Sequence, residues 1–124
     1  MISPRQVCVG VMALIVVTLA FGSGVAETFQ KIGSAQIRAK IAGMEISDGV
    51  HSRDAFGRDG TLTSYAMGKK TFGRWRILGD ELCITLARGE EACCAVWVAG
   101  AKIELRTKGS QLPIMEGELQ KARP

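Results

Sequence analysis

Cysteines are the residues of this sequence that are suited to covalent chemistry: Cys8, Cys83, Cys93 and Cys94. Cys83 lies in one predicted strand and the adjacent pair in the next, so a short hairpin brings them together. In an oxidising compartment this spacing predicts a disulfide from Cys83 to either Cys93 or Cys94. Adjacent residues of a strand point to opposite faces, so the strand register decides between the two bonds. The remaining thiol is expected to be a buried apolar side chain rather than a reactive redox centre.

His51 is the only histidine, which excludes metal sites built from several histidines and leaves one candidate for acid–base catalysis near neutral pH. Ser52 follows it directly and points to the opposite face of a strand, so a Ser-His contact would need Ser47 or Ser64. The sequence also lacks a G-x-S-x-G elbow and a C-x-x-C pair. We therefore predict no catalytic residue, no metal site and no cofactor.

Six basic side chains make the segment 53–76 a candidate surface for an anionic partner: Arg53, Arg58, Lys69, Lys70, Arg74 and Arg76. Suitable partners are lipid headgroups, an acidic glycan or the carboxylates of a protein in the cell envelope. The alternative is a solvated outer face whose charges discourage edge-to-edge pairing of strands.

Short strands are expected to position these residues. From Met44 to Thr107 the chain consists of β-branched, aromatic and alternating runs that end in turns containing Gly or Asp. The turns recur about every 8 to 12 residues, which is typical of an antiparallel meander and leaves no room for crossover helices. The predicted strands are 44–47, 50–57, 61–67, 71–78, 81–86, 92–98 and 102–107.

One helix is expected before the strands, with Ser34 as its N-cap, Ile37 and Ile41 on one face, and Gly43 at its end. The predicted fold class is mainly β, with this N-terminal helix and a six- to seven-stranded antiparallel meander that forms a curled sheet or small open barrel. The predicted core consists of apolar residues that alternate along three strands: Trp75, Ile77, Leu82, Ile84, Leu86, Val96 and Val98.

The first 26 residues have the three-part layout of a signal peptide. Arg5 supplies a positive charge, an apolar run extends from Val7 to Phe21, and the small residues Gly24 and Ala26 precede the predicted cleavage site. An uncleaved anchor is the alternative, because the apolar stretch has about the length that crosses roughly 30 Å of hydrocarbon. We favour cleavage near Ala26, which predicts a periplasmic or secreted protein without a stable membrane span.

The 98 residues that remain of the 124 are predicted to form one β-rich domain over 27–108 and a partly disordered C-terminal tail over 109–124. Pro113 would confine any strand in this tail to a sheet edge. Arg5 is the only charge removed, so 15 Lys and Arg face 12 Asp and Glu, a net charge of +3. This mild charge and the predicted export disfavour nucleic acid as a partner.

Four motifs follow one another in the sequence: D-G-T-L at 59–62, G-R-W at 73–75, L-C at 82–83 and C-x-x-x-W at 93–97. Over about residues 34–107 this order resembles a family of small exported bacterial β-rich domains of uncharacterised function, whose motifs usually follow a short helix. The resemblance implies a periplasmic β-rich fold with a disulfide between Cys83 and Cys93. Cys94 would then be a free thiol, at a position where the family carries an aromatic or polar residue.

The order of G-x-W, a cysteine, and a second cysteine followed by a tryptophan is also similar to small periplasmic protease inhibitors of Gram-negative bacteria. This likeness implies that a flexible N-terminal segment, Glu27 to Gly33, enters a protease cleft. The sequence favours non-enzymatic binding of a ligand or partner through the β surface, because it offers no catalytic constellation. Protease inhibition is the alternative function.

Overall fold

The computed structural model describes residues 28–109 and 112–123. The predicted signal peptide, with its cleavage site, lies outside these residues. The elements in chain order are β1 Gln30–Ile32, α1 Ser34–Ile41, β2 Met44–Ser47, β3 Ser52–Phe56, β4 Thr61–Ala66, β5 Lys69–Leu78, β6 Glu81–Leu86, β7 Ala92–Ala99, β8 Lys102–Arg106 and β9 Pro113–Lys121. In the described part of the chain, no helix has the length and apolar character needed to cross a bilayer.

Strands β2 to β9 form a closed antiparallel barrel of eight strands. Neighbours in sequence pair from β2 to β9, and β9 also pairs with β2, which closes the ring. The mainly β class with one helix is confirmed. The predicted curled sheet or open barrel of six to seven strands is corrected to a closed barrel, because the segment after residue 112 supplies a last strand.

Strand β9 replaces most of the predicted C-terminal tail. Pro113 is its first residue. Proline has no backbone N–H group, and at the start of a strand this does not interrupt the hydrogen bonds between β8 and β9. Met115, Gly117 and Leu119 then face the barrel interior and alternate with exposed residues. Gly117 allows close packing of β9 on β2, since a Cβ atom there would lie 2.6 Å from the carbonyl oxygen of Ser47.

Strand β1 was also not predicted. Glu81, the first residue of β6, pairs with Ala95 of β7, and β1 pairs with the next residues of β7, so that Lys31 lies opposite Trp97. The last residue of β1, Ile32, is buried in the core. The lead-in to the helix is therefore attached to the barrel by backbone hydrogen bonds.

Helix α1 packs at one end of the barrel, called the helix end here, next to the β5–β6 turn. Ile37 and Ile41 are fully buried, as their shared face predicts. The N-cap is Gly33 rather than the predicted Ser34, which already has helical geometry. Gly43, at a φ of 81°, follows the helix as expected. The opposite end, called the far end, carries the turns after β2, β4, β6 and β8, because the strands alternate in direction.

The barrel interior holds the core, and the predicted alternation is largely observed. Trp75, Leu82 and Val96 are buried, and Ile77, Ile84 and Val98 pack against them. Leu86, at the far end, is 40% exposed and leaves the core.

The G-R-W motif shapes one corner of the barrel. Trp75 donates a hydrogen bond from Nε1 to the Gly57 carbonyl oxygen at 2.8 Å, and its ring meets Phe56 edge-on at 5.8 Å between centroids. Gly73 allows close packing of β5 on β6, because a Cβ atom there would collide with the carbonyl oxygen of Thr85.

Replacing Gly73 with alanine is expected to lower the free energy of unfolding by about 1 to 3 kcal/mol, because β5 and β6 must move apart. Urea denaturation followed by tryptophan fluorescence measures the change. Gly33→Ala is the control, since Gly33 has a φ of −100° and no atom within 4 Å of an added Cβ. It should cost only the less favourable N-cap of α1, under about 1 kcal/mol. Equal losses in the two variants would contradict this account of Gly73.

Candidate functional site

The six predicted basic residues do not form one patch. Four lie on β5 and are exposed: Lys69, Lys70, Arg74 and Arg76. Arg53 lies two strands away on the outer face of β3. Arg58 lies in the β3–β4 turn at the helix end, where its guanidinium group is against Gly43. Five of the six therefore lie on β3 and β5, but the guanidinium group of Arg74 lies against Gly60 in the β3–β4 turn, which also contains Arg58.

Carboxylates offset part of this positive charge. Arg76 donates two hydrogen bonds to Glu91, at 2.6 and 2.7 Å, and these bonds lower the pKa of Glu91. Within residues 28–109 and 112–123, neither Lys69 nor Lys70 forms an ion pair. Lys69 and Lys70 thus place two adjacent unpaired positive charges at the start of β5.

Two aromatic rings lie beside these cations on the outer face. The Arg53 guanidinium carbon lies 3.8 Å from the centroid of the Tyr65 ring. Lys70 Nζ lies 5.6 Å from the Tyr65 centroid and 5.5 Å from that of Phe72, which is 59% exposed. Contacts of this kind orient the cations and leave flat apolar area available to a ligand.

A polar cavity of about 270 Å³ opens between the β2–β3 turn (48–51) and the β4–β5 turn (67–68). We call it the tip cavity; its lining includes His51, Ser52, Arg53, Tyr65 and Arg123. Both arginines bind the same buried carboxylate, Glu45, with distances of 3.1 Å from Arg53 Nη1 and 3.2 Å from Arg123 Nη2. Two guanidinium groups against one carboxylate leave a net positive charge at the cavity.

The two turns beside the tip cavity are held by different local structures. Asp48 Oδ1 accepts hydrogen bonds from the backbone N–H groups of residues 50–52, which lower the pKa of Asp48 to about 2. The β4–β5 turn consists of Met67 and Gly68 at φ values of 51° and 79°, as in a type I′ turn. The Met67 N–H donates to the His51 carbonyl oxygen at 3.2 Å, so the two turns are joined.

The disulfide between Cys83 and Cys93 is present, and the two residues are directly opposed in the pairing of β6 and β7. Cys94 points to the opposite face and is buried in the core. Burial raises the pKa of the Cys94 thiol, which disfavours the reactive thiolate. A Glu91 carboxylate oxygen lies within 4.8 Å of both disulfide sulfurs, but bonded sulfurs offer no thiolate to a metal ion.

His51 lies on the surface of the β2–β3 turn, with Nδ1 at 4.0 Å from Asp48. Ser64, which the sequence left as a distant partner for His51, instead donates to Asp54 at 2.6 Å. Burial raises the pKa of Asp54, and the hydrogen bond from Ser64 opposes this shift. His51 therefore lies near Asp48, and Ser64 is bonded to Asp54, so these residues form two separate pairs and not one triad.

The described part of the N-terminal segment is attached to the barrel. Gln30–Ile32 is paired with β7, so an inhibitory segment would have to begin before Gln30. Phe29 lines a separate groove of about 410 Å³ over β8 and β9. This groove also includes four carboxylates, Asp48, Glu104, Glu116 and Glu118. Its charge is opposite to that of the tip cavity.

Sequence reasoning missed four residues of this surface: Tyr65, Met67, Phe72 and Arg123. Alternation along the predicted strands 61–67 and 71–78 places Tyr65 and Phe72 on the face opposite Trp75, so a signal for these two was available. Arg123 falls in the segment expected to be disordered and had no such signal. Comparisons with protein-family models, curated proteins and solved structures find no match to this chain.

Proposed function

We propose that this chain is a non-enzymatic domain of the cell envelope that binds an anionic partner on the outer surface of β3, β4 and β5. The observation that carries the proposal is the pair Lys69 and Lys70, neither of which has a carboxylate partner in the described chain. Lys70 also lies near the half-buried ring of Tyr65 and the exposed ring of Phe72. The Cys83–Cys93 bond supports a periplasmic or secreted location, since disulfides persist in oxidising compartments.

The tip cavity adds the hydrogen-bond donors of two arginines to the positive charge of the two lysines. Glu45 holds Arg53 and Arg123 in place, and Arg53 is also stacked on Tyr65. Groups that are already fixed lose little conformational entropy when a ligand binds. Guanidinium groups bind phosphate, sulfate and carboxylate oxygens through paired hydrogen bonds, so the cavity suits an anionic group of small size.

A soluble polyanion tests this function without requiring knowledge of the natural partner. Heparin is expected to bind the purified protein at low salt and to dissociate as salt screens the charges. Lys69→Gln/Lys70→Gln should weaken binding by about tenfold, because two cations are lost from one surface. Isothermal titration calorimetry measures the affinity of each variant.

The matched control is Lys40→Gln/Lys121→Gln, which removes the same charge from two exposed lysines on α1 and at the end of β9. Its affinity for heparin should stay near that of the unsubstituted protein. If both double variants weaken binding equally, the effect is one of net charge and the proposed surface is wrong.

A further inference from the structure

Exposed apolar side chains are concentrated at the far end of the barrel. Of the seven large hydrophobic residues exposed in the described chain, six lie in or next to the turns of this end: Val50, Met67, Phe72, Leu86, Leu112 and Ile114. Only Leu78 lies at the helix end. A soluble barrel has no structural need for this asymmetry, and patches of this kind mark contact surfaces.

Met67 is unfavourable in water for two independent reasons. It is the first residue of the type I′ turn, at a φ of 51°, where Asn, Asp or Gly is the usual choice. Its side chain is also 85% exposed, so it gains almost nothing from burial in the domain. A residue that is disfavoured by both the backbone and the solvent is best explained by an apolar contact outside the domain.

Val50 and Met67 form a pair of protruding apolar side chains. The backbone hydrogen bond from Met67 to His51 holds their turns side by side, and Val50 is 78% exposed. The tip cavity opens between these turns, and Lys69 and Lys70 follow directly along β5. Apolar side chains at the tip followed by cations and aromatic rings match the layers of a lipid surface, in which the acyl chains lie below the charged headgroups.

The charges of the far end favour an anionic surface around the β4–β5 turn. Other ionic groups of this end are Asp48, Arg88, Glu90, Glu91 and Lys108. Glu104, Glu116 and Glu118 line the groove that extends from the β2–β3 turn over β8 and β9. Asp48 is engaged with its own backbone, and Glu91 is paired with Arg76. The positive charge around the β4–β5 turn comes from Lys69, Lys70 and the two arginines of the tip cavity, whereas the acidic groove lies on the β8 and β9 side of the β2–β3 turn.

We propose that the far end docks on the surface of an anionic lipid bilayer. Val50 and Met67 enter the boundary of the acyl chains, while Lys69, Lys70 and the tip cavity meet the lipid phosphates. The inference rests on the proposed function, because it names the anionic partner as a membrane surface. Val50 and Met67 are exposed at the tips of two turns, and the cavity between these turns is polar. Apolar tips beside a polar cavity suit a lipid layer, with its acyl chains and charged headgroups, better than the shaped surface of a folded protein.

Cosedimentation with vesicles tests the docking, using protein purified after export so that every variant has the same N terminus. Vesicles that contain phosphatidylglycerol should bind the protein, whereas vesicles of phosphatidylcholine alone should bind it much more weakly. Met67→Asn should weaken binding roughly tenfold through loss of the inserted side chain. Because asparagine suits the turn, the melting temperature of this variant should not fall.

Leu78→Ser is the matched control, since it removes an exposed apolar side chain at the helix end and should leave vesicle binding unchanged. Vesicle binding by Met67→Asn at the unsubstituted level, or equal binding to both lipids, would overturn the docking proposal. If heparin binding persists while vesicles are not bound, the partner is a soluble anion or a protein and only the membrane inference fails. If Lys69→Gln/Lys70→Gln binds heparin as strongly as the unsubstituted protein, the proposed function itself is wrong.

Discussion

Replacing both Cys83 and Cys93 with serine is expected to lower the free energy of unfolding by about 3 kcal/mol, a large share of the roughly 5–15 kcal/mol that stabilises a typical domain. The bond closes a loop with a sequence separation of 10 residues, and its loss returns conformational entropy to the unfolded chain. Urea denaturation with and without a reducing agent measures the effect. The unsubstituted protein should lose stability on reduction, whereas the double variant should be insensitive to it.

Cys94→Ala is the control for this comparison. Cys94 is buried and takes no part in the bond, so its truncation removes a single sulfur atom from the core. We expect a loss of about 1 kcal/mol, and the sensitivity to reduction should persist. If reduction leaves the stability of the unsubstituted protein unchanged, the disulfide does not stabilise this hairpin.

The strands and the disulfide hairpin were predictable because their signals are local. Alternation and turn residues define β4 to β8, and pairing along a meander places Cys83 next to the Cys93–Cys94 pair. The register that selects Cys93 was not fixed by alternation alone, since a shift by one residue would select Cys94. Here the resemblance to an exported family supplied the pairing that the structure has.

Barrel closure was not predictable because it depends on pairing between the two ends of the domain. Glu45 in β2 and Gln120 in β9 are 75 residues apart, and no local pattern joins them. The interior face of β9 contains Gly117 between Met115 and Leu119, and charged residues flank it. A short apolar row with a glycine at its centre resembles a polar tail more than a strand.

In the candidate site, too, single residues could be predicted from the sequence, whereas their contacts depend on segments that are distant in the chain. The cations of β5 were identified from composition, but their partners were not, because Arg76 meets Glu91 across two strand boundaries. The tip cavity combines the β2–β3 turn, the β4–β5 turn and Arg123 from the C-terminal end. Side chains from three separate segments meet only after the barrel has closed.

Replacing Glu45 with alanine is expected to lower the free energy of unfolding by about 2 to 3 kcal/mol, because several charge-assisted hydrogen bonds are lost while the two arginines left behind keep access to water. Its carboxylate is fully buried on the outer side of β2. It accepts hydrogen bonds from Arg53 on β3 and from Gln120 on β9, the latter at 2.7 Å. It also accepts two from Arg123, so one side chain ties β2 to both of its neighbours and to the C-terminal end.

The pH dependence of stability separates this role from simple packing. Burial by itself would raise the pKa of Glu45, but the hydrogen bonds from Arg123 and Gln120 and the charge of Arg53 outweigh burial and lower it below 4.5. A lowered pKa in the folded state gives stability that is present above about pH 4.5 and is lost as the pH falls through the folded value. Glu45→Gln keeps the shape of the side chain but removes this titration, so its stability should fall less steeply on acidification.

Urea denaturation at a series of pH values between about 7 and 3 measures both effects of Glu45. Glu90→Gln is the matched control, because Glu90 is an exposed carboxylate in the loop between β6 and β7. Its stability should follow that of the unsubstituted protein at every pH. If the stability of Glu45→Gln falls as steeply with acid as that of the unsubstituted protein, the ionised carboxylate of Glu45 does not stabilise the fold. Arg53 and Arg123 would then not be held at the tip cavity by the charge of Glu45.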